Sequence, residues 1–85
     1  MSEIASIKYV CTKDENGKEE IFTFPKSIDH DRFAHALCEI GPDFQYREPI
    51  SAGFVTRRGK CFGSSGTLDL DSRIADTAIL AMQYA

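Results

Sequence analysis

The chain has 85 residues, 42% of them hydrophobic, and a formal net charge of −3, which suits one folded domain with one core and excludes a disordered tail or a fibrous repeat. The acidic excess lies in the first half: residues 1–42 carry five Lys/Arg against eight Asp/Glu, and residues 43–85 five against five. That distribution lacks the net basic face of a non-specific nucleic-acid binder and the dense acidity of a nucleic-acid mimic.

Three cysteines, Cys11, Cys38 and Cys61, are widely spaced and odd in number, which fits free thiols in a reducing cytosol better than a disulfide framework. No stretch approaches the roughly 20 apolar residues of a membrane span, and the N-terminus lacks a signal-peptide run. The sequence therefore reads as cytoplasmic, with no membrane partner.

Ile4 to Thr12 alternates as a strand, with Ala5, Ile7, Tyr9 and Cys11 on one face and Ser6, Lys8, Val10 and Thr12 on the other. Asn16-Gly17 signals a hairpin in which both residues tolerate positive φ. The return strand, Lys18 to Phe24, divides Glu20, Phe22 and Phe24 from Ile21 and Thr23, and Pro25 ends the ladder.

A helix follows. Asp29 is its N-cap, Ile28 and Phe33 form a hydrophobic staple, and Phe33, Ala36, Leu37 and Ile40 make the apolar stripe. Gly41 and Pro42 supply the stop signal.

Residues 43–49 read as a connection. A strand from Ile50 to Arg57 places Ile50, Ala52 and Phe54 on one side, Arg58-Gly59 turns, and Lys60 to Ser64 returns. Gly63-Ser64-Ser65-Gly66 weakens or bulges that strand, because glycine adds no packing and much chain entropy. Leu68 and Leu70 resume extended pairing. Asp71 or Ser72 caps a last helix whose core face is Ile74, Ala78, Ile79 and Met82.

The expected fold class is α+β: a single domain over 1–85 in the order β-β-α-β-β-α, with a mostly antiparallel sheet of about four strands and both helices on one face. Segments 4–41 and 46–85 read as a pseudo-repeat. Shifted by 42 positions, Gly17-Lys18 falls on Gly59-Lys60 and Ile28-Asp29 on Leu70-Asp71. Shared ancestry, or the common need of two hairpins and two helices for a turn glycine and a cap aspartate, accounts for it.

Candidate chemistry is sparse. Asp31, His35 and Glu39 share one stripe of the first helix but have no marked further ligands, so a solvated face is the favoured reading. His30, in the first helical turn, points away from His35 and reads as a surface residue. No histidine stands predictably beside a cysteine to activate it, which makes the cysteines small core residues. Gly59-Lys60 fails the spacing of a phosphate loop, and Gly63-Ser64-Ser65-Gly66 that of a nucleophile elbow. Neither a catalytic residue, a cofactor nor a metal site is expected.

Two surfaces remain. With both helices on one face, Val10, Ile21, Val55 and Phe62 are left outward, and such a patch marks a protein partner or a homodimer. Arg57, Arg58 and Lys60 form a cationic hairpin tip which, with Ser64 and Ser65, suits a phosphate, a nucleic acid or an acidic protein surface. The leading expectation is a small non-enzymatic accessory or regulatory protein, of the kind phages and plasmids carry, acting through protein–protein contact and self-associating. Nucleic-acid or phosphate binding through the hairpin is the alternative.

Overall fold

A computed structural model describes residues 7–40 and 48–83, apart from the side chains of 38–40. The elements run β1 (Ile7–Lys13), β2 (Glu19–Phe24), α1 (His30–Ile40), β3 (Glu48–Val55), β4 (Cys61–Phe62), β5 (Ser64–Ser65), β6 (Leu70–Asp71) and α2 (Ile74–Gln83). The fold is mixed α+β, with an antiparallel four-stranded sheet in the order β2-β1-β3-β4. A second, two-stranded sheet pairs β5 with β6.

Both hairpins of the main sheet close with the same turn. Gly17 N–H donates to the Asp14 carbonyl and Asp14 N–H to the Lys18 carbonyl, each at 3.0 Å. Gly59 N–H donates to the Thr56 carbonyl at 3.0 Å, and Thr56 N–H to the Lys60 carbonyl at 2.9 Å. Gly17 and Gly59 both take φ of 84°, whereas Asn16 keeps an ordinary negative φ. The turn is therefore the three-residue type closed by a left-handed glycine, and not the two-residue Asn-Gly turn that the dipeptide suggests. Asp14 Oδ1 accepts from the N–H groups of Asn16 and Lys18, and Thr56 Oγ1 from that of Lys60, so a side chain at the matching position braces each turn.

Each face of the sheet carries its own helix, which corrects the expectation that both helices share one. Val10, Phe24 and Ala52 pack with Leu37 and Phe33 of α1, and Phe22, Leu68 and Leu70 close this core at its margins. Tyr9, Cys11, Ile21, Val55 and Cys61 pack on the other face with Leu80 and Ile79 of α2. The physical reason is visible in the strands: they are apolar on both faces, and an apolar sheet face left in water loses roughly 25 cal/mol for every Å² it fails to bury.

One strand changes face along its length. Cys11 pairs with Ser51 but Thr12 pairs with Pro49, so Ile50 is an extra residue in β3. Ala52 and the Phe54 ring stay on the α1 side, whereas Ile50 joins the Tyr9–Cys11 core. Strict alternation from Ala52 would have placed Ile50 with α1.

Gly63, at φ 80°, ends β4 and starts β5, so the glycine stretch breaks the return strand and carries it into a separate small sheet. Asp29 stands just before α1, its carbonyl accepting from Phe33 N–H at 3.0 Å, as expected of the cap position. The Gly41-Pro42 stop lies outside the described residues. His30, expected at the surface, is buried: its Nε2–H donates to the Gly53 carbonyl at 2.9 Å between the rings of Phe24 and Phe54. The first turn of α1 thus presses directly on β3.

Candidate functional site

The site is built around the placement of α2. Asp71 is held in β6 against Ser64, and Ser72 N–H donates to the Gly63 carbonyl at 2.9 Å, so neither expected residue caps the helix. Arg73 takes the cap position. Its N–H donates to Asp76 Oδ2 at 3.0 Å, which is the reach-back half of a capping box with aspartate in place of glutamate.

Asp76 is fully buried and is the hub of a network beneath the helix. Tyr9 Oη donates to its Oδ2 at 2.5 Å, and the Arg73 guanidinium donates to its Oδ1 from Nε at 3.0 Å and from Nη2 at 2.8 Å. Arg73 Nη2 also reaches Glu19 Oε1 at 2.7 Å, tying the start of α2 to the start of β2.

Burial alone would raise the Asp76 carboxyl, but the hydrogen bonds from Tyr9 and from Arg73 outweigh it and hold the group below the ordinary carboxylate range. Burial, then the hydrogen bond to Asp76, pushes the Tyr9 phenol far above its usual value. Burial, reinforced by the Asp76 charge, pushes the Cys61 thiol up to about 11 and also raises Cys11. For Arg73, burial opposes the charge, and the bonds to Glu19 and Asp76 more than restore it. The network is closed to solvent at Asp76, so it acts as a clamp on α2.

Two further contacts fix the rotation of the helix. Gln83 Oε1 accepts from Ile21 N–H at 2.8 Å, and Gln83 Nε2 donates to the Ile21 carbonyl at 2.6 Å. Thr77 Oγ1 accepts from Cys61 N–H at 3.0 Å. One helix therefore grips both edge strands, β2 and β4, and satisfies backbone groups that a sheet edge would otherwise present to another chain.

With Asp76, Ile79, Leu80 and Gln83 turned inward, the opposite face of α2 is left in water. Ile74 is 98% exposed and Met82 81% exposed, with Ala78 and Ala81 also exposed between them. The expected core face of this helix is corrected: of Ile74, Ala78, Ile79 and Met82, Ile79 alone packs inward. Beside the stripe, an open groove of about 730 Å³ runs between α2 and β4, lined by Ile74, Ala78, Ala81, Phe62, Arg58 and Lys60 among others.

The expected partner patch is dispersed. Val10, at 0% exposure, lies under α1, whereas Ile21 and Val55, at 0% and 4%, lie under α2. Phe62 remains accessible at 36%, against Phe54 and beside the groove. The cause is the second helix, which covers the face left open by the one-sided arrangement.

Arg57, Arg58 and Lys60 are exposed on the second hairpin turn. The structure does not join the two serines to them. Ser65 is buried, with its Oγ accepting from Leu68 N–H at 3.2 Å, and Ser64 pairs with Asp71 beyond the Gly63 break. His35 and Asp31 are exposed on α1, and the side chain of Glu39 lies outside the described residues. Cys11 and Cys61 are buried free thiols, as core residues should be.

Ile74, Ala78 and Met82, expected in the core, instead form an outer stripe together with Ala81. Its signal is that α2 is apolar nearly all round, while its two long polar hydrogen-bonding side chains, Asp76 and Gln83, lie opposite Ile74. No helix among the described residues is long and apolar enough to cross a membrane. No protein-family model matches the chain, and no curated protein or solved structure matches it.

Proposed function

We propose that this is a small non-enzymatic binding protein of the cytosol that works through protein–protein contact, using the outer face of α2 and the adjoining Phe62. The observation that carries the reading is the pair of large apolar side chains, Ile74 at 98% and Met82 at 81% exposure, on a helix whose opposite face is already packed. Neither contributes to the core, so the fold does not require them to be apolar. A contiguous apolar strip left in water promotes association with another polypeptide, a second copy or a different chain.

The test is Ile74→Glu/Met82→Glu. Sedimentation equilibrium and capture from the native cytosol are compared with the parent chain, and circular dichroism reports the fold. Loss of a contact made by the parent, with the fold unchanged, supports the reading. Unfolding of the variant, or contacts indifferent to it, overturns it.

A second reading has its own observation: Arg57, Arg58 and Lys60 are exposed on a turn braced by Thr56. Three cations so held suit a phosphate or a nucleic acid. Affinity for a short oligonucleotide that falls steeply with salt and disappears in Arg57→Ala/Arg58→Ala supports it, and absent or salt-independent binding removes it.

A further inference from the structure

We infer that β2 is a pairing edge for β2 of a second copy of this chain, and that Gln83 is the latch that holds this edge shut. The surface is separate from the outer face of α2 discussed above. The form of the Gln83 contact carries the inference. Its carboxamide accepts from Ile21 N–H at 2.8 Å and donates to the Ile21 carbonyl at 2.6 Å. That is the reciprocal pair which one residue of a neighbouring antiparallel strand would make. A side chain stands where a fifth strand would run.

β2 ends the strand order β2-β1-β3-β4, so one of its sides faces away from the sheet. The turn bond from Asp14 N–H to the Lys18 carbonyl sets the phase of the ladder. Glu20, Phe22 and Phe24, opposite Thr12, Val10 and Lys8, turn their backbone groups toward β1, and Glu19, Ile21 and Thr23 turn theirs outward. Gln83 covers the middle residue of the outward set.

That set is symmetric about Ile21, and the symmetry selects the occupant. A twofold axis at Ile21 sets this residue against its own copy and Glu19 against Thr23, so every outward residue is paired, and Glu20 falls opposite Phe22. No carboxylate then faces a carboxylate. Moving the axis to Glu20 sets that residue against itself, and like charges directly opposite are destabilising. Moving it to Phe22 sets Glu19 against Pro25, which has no N–H to give. Beside the edge lies an open groove of about 390 Å³ whose lining includes Ile79 and Met82, an apolar shoulder for the incoming copy. Gln83 is exposed, so water competes for its amide, whereas a strand engages the outward residues together. Twofold pairing consumes β2 of both copies, and the product is a closed dimer.

The experiment is sedimentation equilibrium of the parent chain and of Gln83→Ala over a range of concentrations, with circular dichroism to report the fold. Gln83→Ala is expected to dimerise at least about tenfold more tightly than the parent. Thr23→Pro added to it removes one outward N–H, spares the ladder to β1 and is expected to return the protein to a monomer. In Gln83→Ala itself, Ile21 amide exchange should be fast when dilute and slow again as the dimer forms. An isotope-filtered NOE between Glu20 and Phe22 of different copies should appear, because that pair brings its Cα atoms to about 4.5 Å.

A Gln83→Ala protein no more associated than the parent overturns the proposal. So does open-ended aggregation, a folded dimer that ignores Thr23→Pro, or association without the Glu20–Phe22 contact. If the doubly substituted protein unfolds, the Ile21 exchange and the Glu20–Phe22 contact decide alone. Ile74→Glu, at the other end of α2, should leave this dimer intact. Association abolished by Ile74→Glu and indifferent to Gln83→Ala assigns self-contact to the outer face of α2 and overturns the β2 edge, whereas failure of the β2 dimer leaves the outer-face reading standing.

Discussion

Tyr9 and Asp76 stand 67 residues apart in sequence and meet in a buried 2.5 Å hydrogen bond that pins α2 to the central strand β1. The bond decides which face of α2 is inside, because a carboxylate at 0% exposure has to be met by donors, and Tyr9 and Arg73 are the donors it meets. The outer stripe is the consequence.

Asp76→Ala is expected to destabilise the protein by about 3–5 kcal/mol, since it strands the Tyr9 hydroxyl and removes the buried partner of Arg73. Asp76→Asn, which retains an acceptor, is expected to cost less. The Asp76 carboxyl is depressed in the folded state, so its contribution is fully present above the unfolded carboxylate value near 3.8 and is lost as pH falls through the lower folded value. Urea titrations of the parent chain at pH 7 and pH 3 should show the difference, and the Asp76→Ala protein should have lost part of that pH dependence.

The alkaline side has the opposite sign. Cys61 is raised from 9.0 to about 11, and Tyr9 and Cys11 are also raised, so these groups stabilise the fold fully below their unfolded values and lose that contribution as pH climbs. Thermal stability should decline above about pH 9, by on the order of 2 kcal/mol from Cys61 by pH 11. Cys61→Ala should blunt the decline. In the folded protein at pH 8, both thiols should react with a thiol reagent far more slowly than after denaturation.

Gln83 completes the edge of β2 with a side-chain amide. Gln83→Ala should cost about 1–2 kcal/mol, because the partly buried pair of bonds to Ile21 is lost. The telling readout is local: Ile21 amide exchange should accelerate beyond the global change, and the opened edge should increase the tendency to aggregate. Unchanged exchange at Ile21 would mean that the amide bonds are not formed in solution.

Gly53 tests how closely β3 and β4 approach. A Cβ there would stand 2.3 Å from the Phe62 carbonyl oxygen and 3.3 Å from the Tyr9 ring, and the nearer atom is backbone. Gly53→Ala is therefore expected to cost more than about 2 kcal/mol. Gly66→Ala meets nothing within 4 Å and should be neutral or stabilising by up to about 1 kcal/mol. Chemical denaturation of the two proteins makes the comparison.

The helix orientation has its own pair. Leu80 is 7% exposed in the core and Met82 81% exposed outside it. Leu80→Ala should cost about 2–5 kcal/mol, whereas Met82→Ala should stay within about 0.5 kcal/mol. Reversed values would place the stripe inside and remove the contact surface.

Local chemistry made much of the fold legible. Strand alternation in β1 and β2, the turn glycines Gly17 and Gly59, the Asp29 cap and the break near Gly63 are all written in neighbouring residues, because each depends on a backbone preference within a few positions. The order β-β-α-β-β-α and the antiparallel α+β class followed from them. Asp14–Lys18 and Thr56–Lys60 form the same turn, whereas the helices that follow the two hairpins lie on opposite faces of the sheet.

Choices between two physically acceptable surfaces were not legible. Val10 and Ile21 are apolar on opposite faces of paired strands, and no residue near either says whether a helix, a loop or a partner covers it. In α2, apolar residues on both faces left the rotation undetermined until Asp76 found Tyr9 and Gln83 found Ile21. Neighbouring residues are enough to specify two hairpins, two helices and a sheet with two apolar faces. Which face each helix covers and which stripe of α2 stays in water emerge only in three dimensions, because α2 is oriented by hydrogen bonds between residues more than sixty positions apart and α1 is seated by His30 on Gly53, 23 positions away.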